Sequence, residues 1–143
     1  MTFQDCINFA TEIHTCFFAT EDGDQPRVRA IGLWFADEQG FYFHTETVKD
    51  FYKQLVKNKK VEFCFMEGMR RILRVAGEIE FLDDMAIKER CLKERSFLKG
   101  LGITKPDDPM LAVFRVHNGE AYFWTFADNM KESKIPRISF GGR

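Results

Sequence analysis

From Thr15 onward the sequence alternates apolar and polar residues in short runs, and turn-forming residues cut those runs at close intervals. Alternation with period two puts one face of each run on a core and the other in solvent, so the pattern commits the chain to strands joined by tight connections. Thr15 to Thr20 is rich in β-formers and ends at Glu21-Asp22-Gly23-Asp24. Pro26 starts a second strand, Arg27 to Ala36. One of its faces carries Arg27, Arg29, Ile31, Leu33 and Phe35, and the other Val28, Ala30, Gly32, Trp34 and Ala36. Asp37 to Gly40 turns the chain back into Phe41-Tyr42-Phe43-His44-Thr45. Further strands are expected over Lys60 to Met66 and from Met69 to about Phe81. Met110 to Val116 and Glu120 to Phe126 flank Asn118-Gly119, a dipeptide strongly favoured in two-residue hairpins.

Three segments switch to helical spacing. Thr2 can cap a helix carrying Phe3, Cys6, Ile7 and Ala10 on one side. Val48 to Lys57 sets Phe51, Tyr52 and Leu55 against a lysine stripe of Lys49, Lys53 and Lys57. Asp83 or Asp84 can cap a helix running to about Leu98, with Ile87, Cys91 and Leu98 inward. Lys99 to Asp108 is expected as a loop and the tail, 127–143, as irregular. Six or seven strands, mostly joined by hairpins, with two or three helices, predict a mainly β fold: an antiparallel sheet closed into a small barrel. At 143 residues this is one domain, 1–143.

Composition narrows the function classes. Apolar residues make up 45% and charged residues 30%, and sixteen phenylalanines argue against disorder. No apolar run approaches the ~20 residues of a membrane helix, and Met1 to Phe18 lacks a basic start and is interrupted by Asp5 and Glu12. The four cysteines have no C-x-x-C spacing and the three histidines are scattered, so no metal is expected. Reduced thiols and a cytoplasmic location are the simpler expectation. Net charge is −1, but 25–74 holds ten Lys and Arg against six acids. A lysine-rich surface that binds nucleic acid is the weaker reading, because Phe51, Tyr52 and Leu55 read as a buried face and the rest of the chain is acidic.

The chemistry concentrates in Gln25-Pro26-Arg27-Val28-Arg29-Ala30 and Phe43-His44-Thr45-Glu46-Thr47-Val48-Lys49. An arginine fork suits phosphate oxygens. Thr45 ends a strand and Lys49 opens a helix, whose N-terminus offers free N–H groups and a positive dipole end. If the arginine strand lies beside that turn, the parts close around one phosphate. Residue types alone leave a second reading open: Arg27 and Arg29 in surface ion pairs, with Glu78 or Glu80, and a solvated Lys49. Asp83-Asp84 and Asp107-Asp108 read as a cap and a turn rather than as paired catalytic carboxylates.

The succession of these segments resembles the pyridoxamine 5'-phosphate oxidase-like family of FMN-binding split barrels. The resemblance runs from about Cys16 to Phe126. Its carriers are Cys16-Phe17-Phe18-Ala19-Thr20, Asp22-Gly23, Gln25-Pro26-Arg27-Val28-Arg29, Phe41-Tyr42-Phe43-His44-Thr45, Lys49 to Leu55, Asn58, Val61 and Arg74-Val75-Ala76-Gly77-Glu78. It implies a six-stranded antiparallel split barrel that forms a homodimer with FMN in the clefts between subunits. It also implies that Arg29, Thr45 and Lys49 hold the flavin phosphate, with Arg27 assisting or turned away. Ala30 and Ile31 would line the isoalloxazine edge with backbone groups. His44 would reach ribityl or ring atoms, and Trp124 would pack near the flavin from the partner; a strand-end histidine and a core tryptophan are the plainer alternatives for these two.

The implied activity is that of an FMN-dependent oxidoreductase of a small substrate with a separate electron donor. Relatives that carry flavin or haem leave a non-catalytic carrier or sensor as the alternative. Departures weigh against pyridoxamine phosphate oxidation itself. The tail Ser133 to Phe140 lacks the Arg-x-His pair, Ile72 stands where that enzyme has glutamine, and Val48 where the family has arginine.

Overall fold

Thr2 caps the first helix, α1 (Phe3–Ile13), in the reciprocal manner its sequence suggests: its side chain accepts from the Asp5 amide and the Asp5 carboxylate accepts from the Thr2 amide. The computed structural model describes residues 1–142. After α1 come β1 (Thr15–Asp22), β2 (Gln25–Gly32), β3 (Phe35–Asp37) and β4 (Gly40–Glu46), then α2 (Asp50–Lys57), β5 (Lys60–Glu67) and β6 (Arg71–Leu82). The helix α3 (Met85–Glu94) is capped by Asp84. A 3-10 segment, Ser96–Leu101, leads on to β7 (Leu111–Thr125), and β8 (Ile138–Phe140) ends the sheet.

All pairings are antiparallel, in the order β2-β1-β5-β6-β7-β4-β3, with β8 added alongside β7. The two edge strands are consecutive in the chain. Leu33 and Trp34 join them: the Leu33 amide donates to the His14 carbonyl on the β1 side, and the Trp34 amide to the Tyr42 carbonyl on the β4 side. This link straps the two edges and curls the sheet into a split barrel. The strand expected over Arg27 to Ala36 is therefore broken at 33–34, where the chain crosses the split.

The sheet has eight strands rather than six, and two local differences account for the count. β3 and β8 are three-residue strands too short for period-two reading. The hairpin expected at Asn118-Gly119 does not form. β7 runs straight through it, because β6 pairs along one side of it and β8 along the other. Asn118-Gly119 instead makes a bulge, with Asn118 at φ 50 and the register shifting between Ala76 and Glu78. The bulge changes which residues face inward, from Phe114 and Val116 before it to Ala121 and Phe123 after it. The tail carries β8 and buries Phe140, so it is more ordered than expected.

The barrel interior is aromatic. Phe18, Phe41, Phe43, Phe63, Phe65 and Phe114 are fully buried, each removing roughly 1.5–3 kcal/mol worth of apolar surface from water. Phe18 stacks on Phe63 and meets Phe43 and Phe51 edge-on. α2 covers the split beside β1 and β4 through Phe51 and Leu55. A smaller cluster, with Cys91, Leu98, Ile103, Leu111 and Val113, packs α3 and the 3-10 segment onto the outside of β7.

Candidate functional site: a cationic cradle at the split

Arg29 enters the site from β2, opposite Phe18 of β1 and on the inward side of the sheet. Its guanidinium lies 4.5 Å over the Phe51 ring of α2. Nη1 donates to the Phe18 carbonyl at 3.2 Å and to Thr20 Oγ1 at 2.7 Å, and Nη2 donates to Gln54 Oε1 at 2.7 Å. Thr20 Oγ1 donates in turn to Gln54 Oε1 at 2.6 Å. Every one of these partners is neutral, and among the described residues no carboxylate pairs with Arg29. Burial alone holds its pKa below the usual guanidinium value. A guanidinium stays charged in any case, so this is a partly desolvated cation with no counter-charge, an arrangement that costs free energy until an anion arrives.

The same helix supplies the second element. Lys49 is the N-cap of α2, and no side chain caps that end. The first-turn N–H groups of an α-helix have no partner within it, and Phe51 of this first turn is the ring beneath Arg29. Lys49 Nζ sits 3.0 Å from the Glu46 carboxylate and is about half exposed. It is placed at the turn as expected, but already engaged by a neighbour.

Thr45 lies on β4 with its side chain in the barrel, 2% exposed, and its hydroxyl has no hydrogen-bond partner. His44 points the other way. Its Nε2 accepts from Arg95 Nε at 3.0 Å. A neutral imidazole that accepts at Nε2 carries its proton on Nδ1, and that buried Nδ1–H also lacks a partner. Burial first, then the nearby charges of Arg95 and Lys49, push the His44 pKa down to about 4, so the ring is neutral near pH 7. Arg95 lies 5.1 Å over Phe97 and, like Arg29, has no carboxylate partner among the described residues.

The remaining expected residues fall outside this cluster. Arg27 is exposed and pairs with Asp22 at 3.3 Å across the β1–β2 turn, so it is a surface ion pair, with a nearer acid than Glu78 or Glu80. Ala30 and Ile31 lie on β2, an edge of the sheet. Trp124 is near the far end of β7. Thr45 pairs with Ala112 and Trp124 with Ile72, so twelve residues of β7, roughly 40 Å of extended strand, separate the two levels. Arg29 thus meets α2, whose N-cap is Lys49, while Thr45 and His44 lie on opposite faces at the end of β4 and Trp124 stands apart.

Thr20, Gln54 and Arg95 carry no local signal of a part in the site, and Phe51 reads from the sequence only as a core residue. Thr20 and Gln54 meet Arg29 only through the fold, from 9 and 25 residues away. Arg95 looked like part of a continuous helix to Leu98. The helix instead stops at Glu94 and turns Arg95 back onto β4. The cradle can bind an anionic group and orient what is attached to it. Away from the cradle, desolvation pushes the buried thiols of Cys6 and Cys91 up to about 11.

The pyridoxamine 5'-phosphate oxidase family model matches residues 4–125. A pyridoxine/pyridoxamine 5'-phosphate oxidase from Agrobacterium fabrum is 31% identical over 65 residues, covering 45% of this chain and 32% of that protein, so the match spans about a third of the curated relative. The crystal structure of a NimC/NimA family protein from Clostridium acetobutylicum has a TM-score of 0.77 at 30% identity, covering 94% of this chain and 91% of that one. Two more distant structures share the fold. One is HutZ, the haem storage protein of Vibrio cholerae, with TM-score 0.65, 15% identity and 87% and 95% of the two chains covered. The other is a pyridoxamine 5'-phosphate oxidase-related, FMN-binding protein of Nostoc punctiforme, with TM-score 0.60, 12% identity and 87% and 82% covered.

Proposed function

Because the chain belongs to the pyridoxamine 5'-phosphate oxidase family, we propose that it is an FMN-binding flavoprotein and an oxidoreductase of a small substrate. The observation that carries this reading is Arg29, a partly buried cation with only neutral partners beside an uncapped helix N-terminus. A phosphate monoester supplies the missing counter-charge. The orphaned Thr45 hydroxyl fits the same ligand as donor or acceptor.

When bound, FMN supplies the electron and hydride chemistry. The residues of the chain bind and orient it. Arg29 takes phosphate oxygens through its fork, held in place by Thr20, Gln54 and the Phe51 ring. Lys49 exchanges Glu46 for the phosphate or bridges both. The β2 edge at Ala30 and Ile31 offers backbone groups to the ring system. Trp124 joins from the partner in a homodimer, where it helps exclude water.

The visible spectrum of the purified protein, repeated after adding FMN and removing the excess, tests this. A two-band yellow spectrum is expected, with retention lost in Arg29→Ala, Lys49→Ala. A colourless protein that retains no FMN sinks the proposal. The haem storage relative favours one second reading, a carrier with the same fold. Multiple turnover with reduced nicotinamide and a quinone or nitro acceptor distinguishes an enzyme from a carrier.

A further inference from the structure

Glu46 is the last residue of β4, and it is only 8% exposed. A carboxylate withdrawn that far from water needs a counter-charge. Among the described residues it has one ionic partner, Lys49 Nζ at 3.0 Å. The turn itself keeps the two residues together, because the Lys49 amide donates to the Glu46 carbonyl at 3.1 Å. Asp50, the next residue of the helix, is exposed to water. The lysine at the α2 N-terminus is therefore already the counter-ion of a buried acid.

The two partners are not equivalent. The Lys49 side chain is about half exposed, whereas that of Glu46 is only 10% exposed. A phosphate that pulled Lys49 away would strand Glu46 as a buried charge with no partner, which is the strongly destabilising way to break such a pair. Sharing avoids this. An ammonium has three donors, so one can stay on Glu46 while the solvent side of Lys49 takes a ligand oxygen. A shared Lys49 then holds the ligand close to a fixed negative charge. The Coulomb penalty from that charge grows in proportion to the charge on the ligand.

We propose that Glu46 is a specificity-determining residue of the phosphate site, one that keeps its bond to Lys49 while the ligand is bound and penalises each negative charge the phosphate carries. This rests on the reading of Lys49 as a ligand of the FMN phosphate. Lys49 bridges the two anions rather than exchanging one for the other. Glu46 acts through Lys49 and by its charge, so its removal strengthens binding in step with the charge on the ligand and leaves an uncharged flavin alone.

Equilibrium dialysis of the full chain in low-salt buffer at pH 8 tests it, with FMN, the methyl ester of FMN at its phosphate, and riboflavin as probes. The three share one ring system. They carry two, one and no phosphate charges, since a phosphate monoester has its second pKa at about 6. Glu46→Gln and Glu46→Met both remove the carboxylate, and one folded variant of the two suffices; circular dichroism and melting curves establish folding. FMN is expected to bind the charge-free variant at least tenfold more tightly than wild type, the methyl ester at least threefold more tightly, and riboflavin within twofold of wild type. Glu46→Asp keeps the charge and is expected to stay within twofold of wild type for all three. Wild type that binds FMN, with no gain in the folded charge-free variant, overturns the proposal and leaves the flavin reading standing. So does a gain of equal size for all three ligands, or the same gain in Glu46→Asp, since either reports packing rather than charge. No FMN bound by any of these proteins overturns both.

Discussion

An arginine half withdrawn from water with only neutral partners carries a desolvation cost that nothing nearby offsets, and Arg29 is in that position. Its substitution should therefore separate binding from folding. Arg29→Gln is expected to weaken FMN binding about 10- to 100-fold, the range for losing charge-assisted hydrogen bonds. The cofactor-free protein should lose only about 1 kcal/mol, because the desolvation cost that Arg29 carries offsets the neutral hydrogen bonds lost with it. Equilibrium dialysis and a melting curve on the same samples check both halves. His44 gives a pH prediction. Its folded pKa of about 4 lies below the ordinary 6.5, so the unfolded chain takes up the proton first. Stability is unaffected above about pH 7 and is lost as pH falls from 6.5 towards 4. Between pH 7 and pH 5 this amounts to about 2 kcal/mol, which His44→Gln should remove; urea titrations at the two pH values measure it. Arg29, Thr45 and Lys49 were legible because a strand arginine and a strand-to-helix turn carry local signals. Thr20, Gln54 and Arg95 were not, since their part depends on which strands and helices meet. Lys49 stands at the strand-to-helix turn that the sequence suggests, and there it pairs with Glu46, a contact no local pattern signals.

The Asn118-Gly119 bulge shows how an element can override a strong local preference. The dipeptide has the backbone freedom for a hairpin, and a hairpin is what its sequence suggests. Eleven residues of β6 pair along β7, on both sides of it, and β8 closes the other edge, so that freedom goes into a register shift instead. Gly119 is required there by close approach. A Cβ at this position would lie 2.1 Å from the Ala76 carbonyl oxygen and 2.9 Å from the Gly77 Cα. Both are backbone atoms, so the strands themselves must part. Gly119→Ala is expected to cost about 1–3 kcal/mol, the range for forced overpacking, whereas Asn118→Gly, which relieves a positive φ, should be near neutral. Chemical denaturation of the two variants distinguishes them. A comparable loss in both would show that the bulge is not what sets the cost. Most strands and all three helices were readable from periodicity and caps. The bulge, β3 and β8 were not, because each is defined by its neighbours across the sheet.

For the whole molecule, the barrel closes within one chain, by the Leu33–Trp34 link and a phenylalanine core, and the proposed cofactor site draws on residues that lie far apart in that chain. Arg29 lies at the split against α2, while Trp124 stands far along β7. If the proposed homodimer has two-fold symmetry, each cofactor site takes its phosphate cradle from one chain and its tryptophan from the other. Mixing defective chains tests that division directly. Arg29→Ala and Trp124→Ala are each expected to lose FMN retention as pure proteins. In a dimer of one chain of each kind, one site receives both defects and the other receives neither. Random reassortment makes half the dimers mixed, so about a quarter of all sites should recover. Were Arg29 and Trp124 to serve the same site from one chain, every site in the mixture would carry one defect or the other and none would recover. The measurement is FMN retained after unfolding and refolding the two variants together, compared with the same proteins refolded separately and then combined. Recovery only in the co-refolded sample would establish both the dimer and the shared site. No recovery, from variants that each refold to a dimer by sedimentation, would place the whole cofactor site within a single chain.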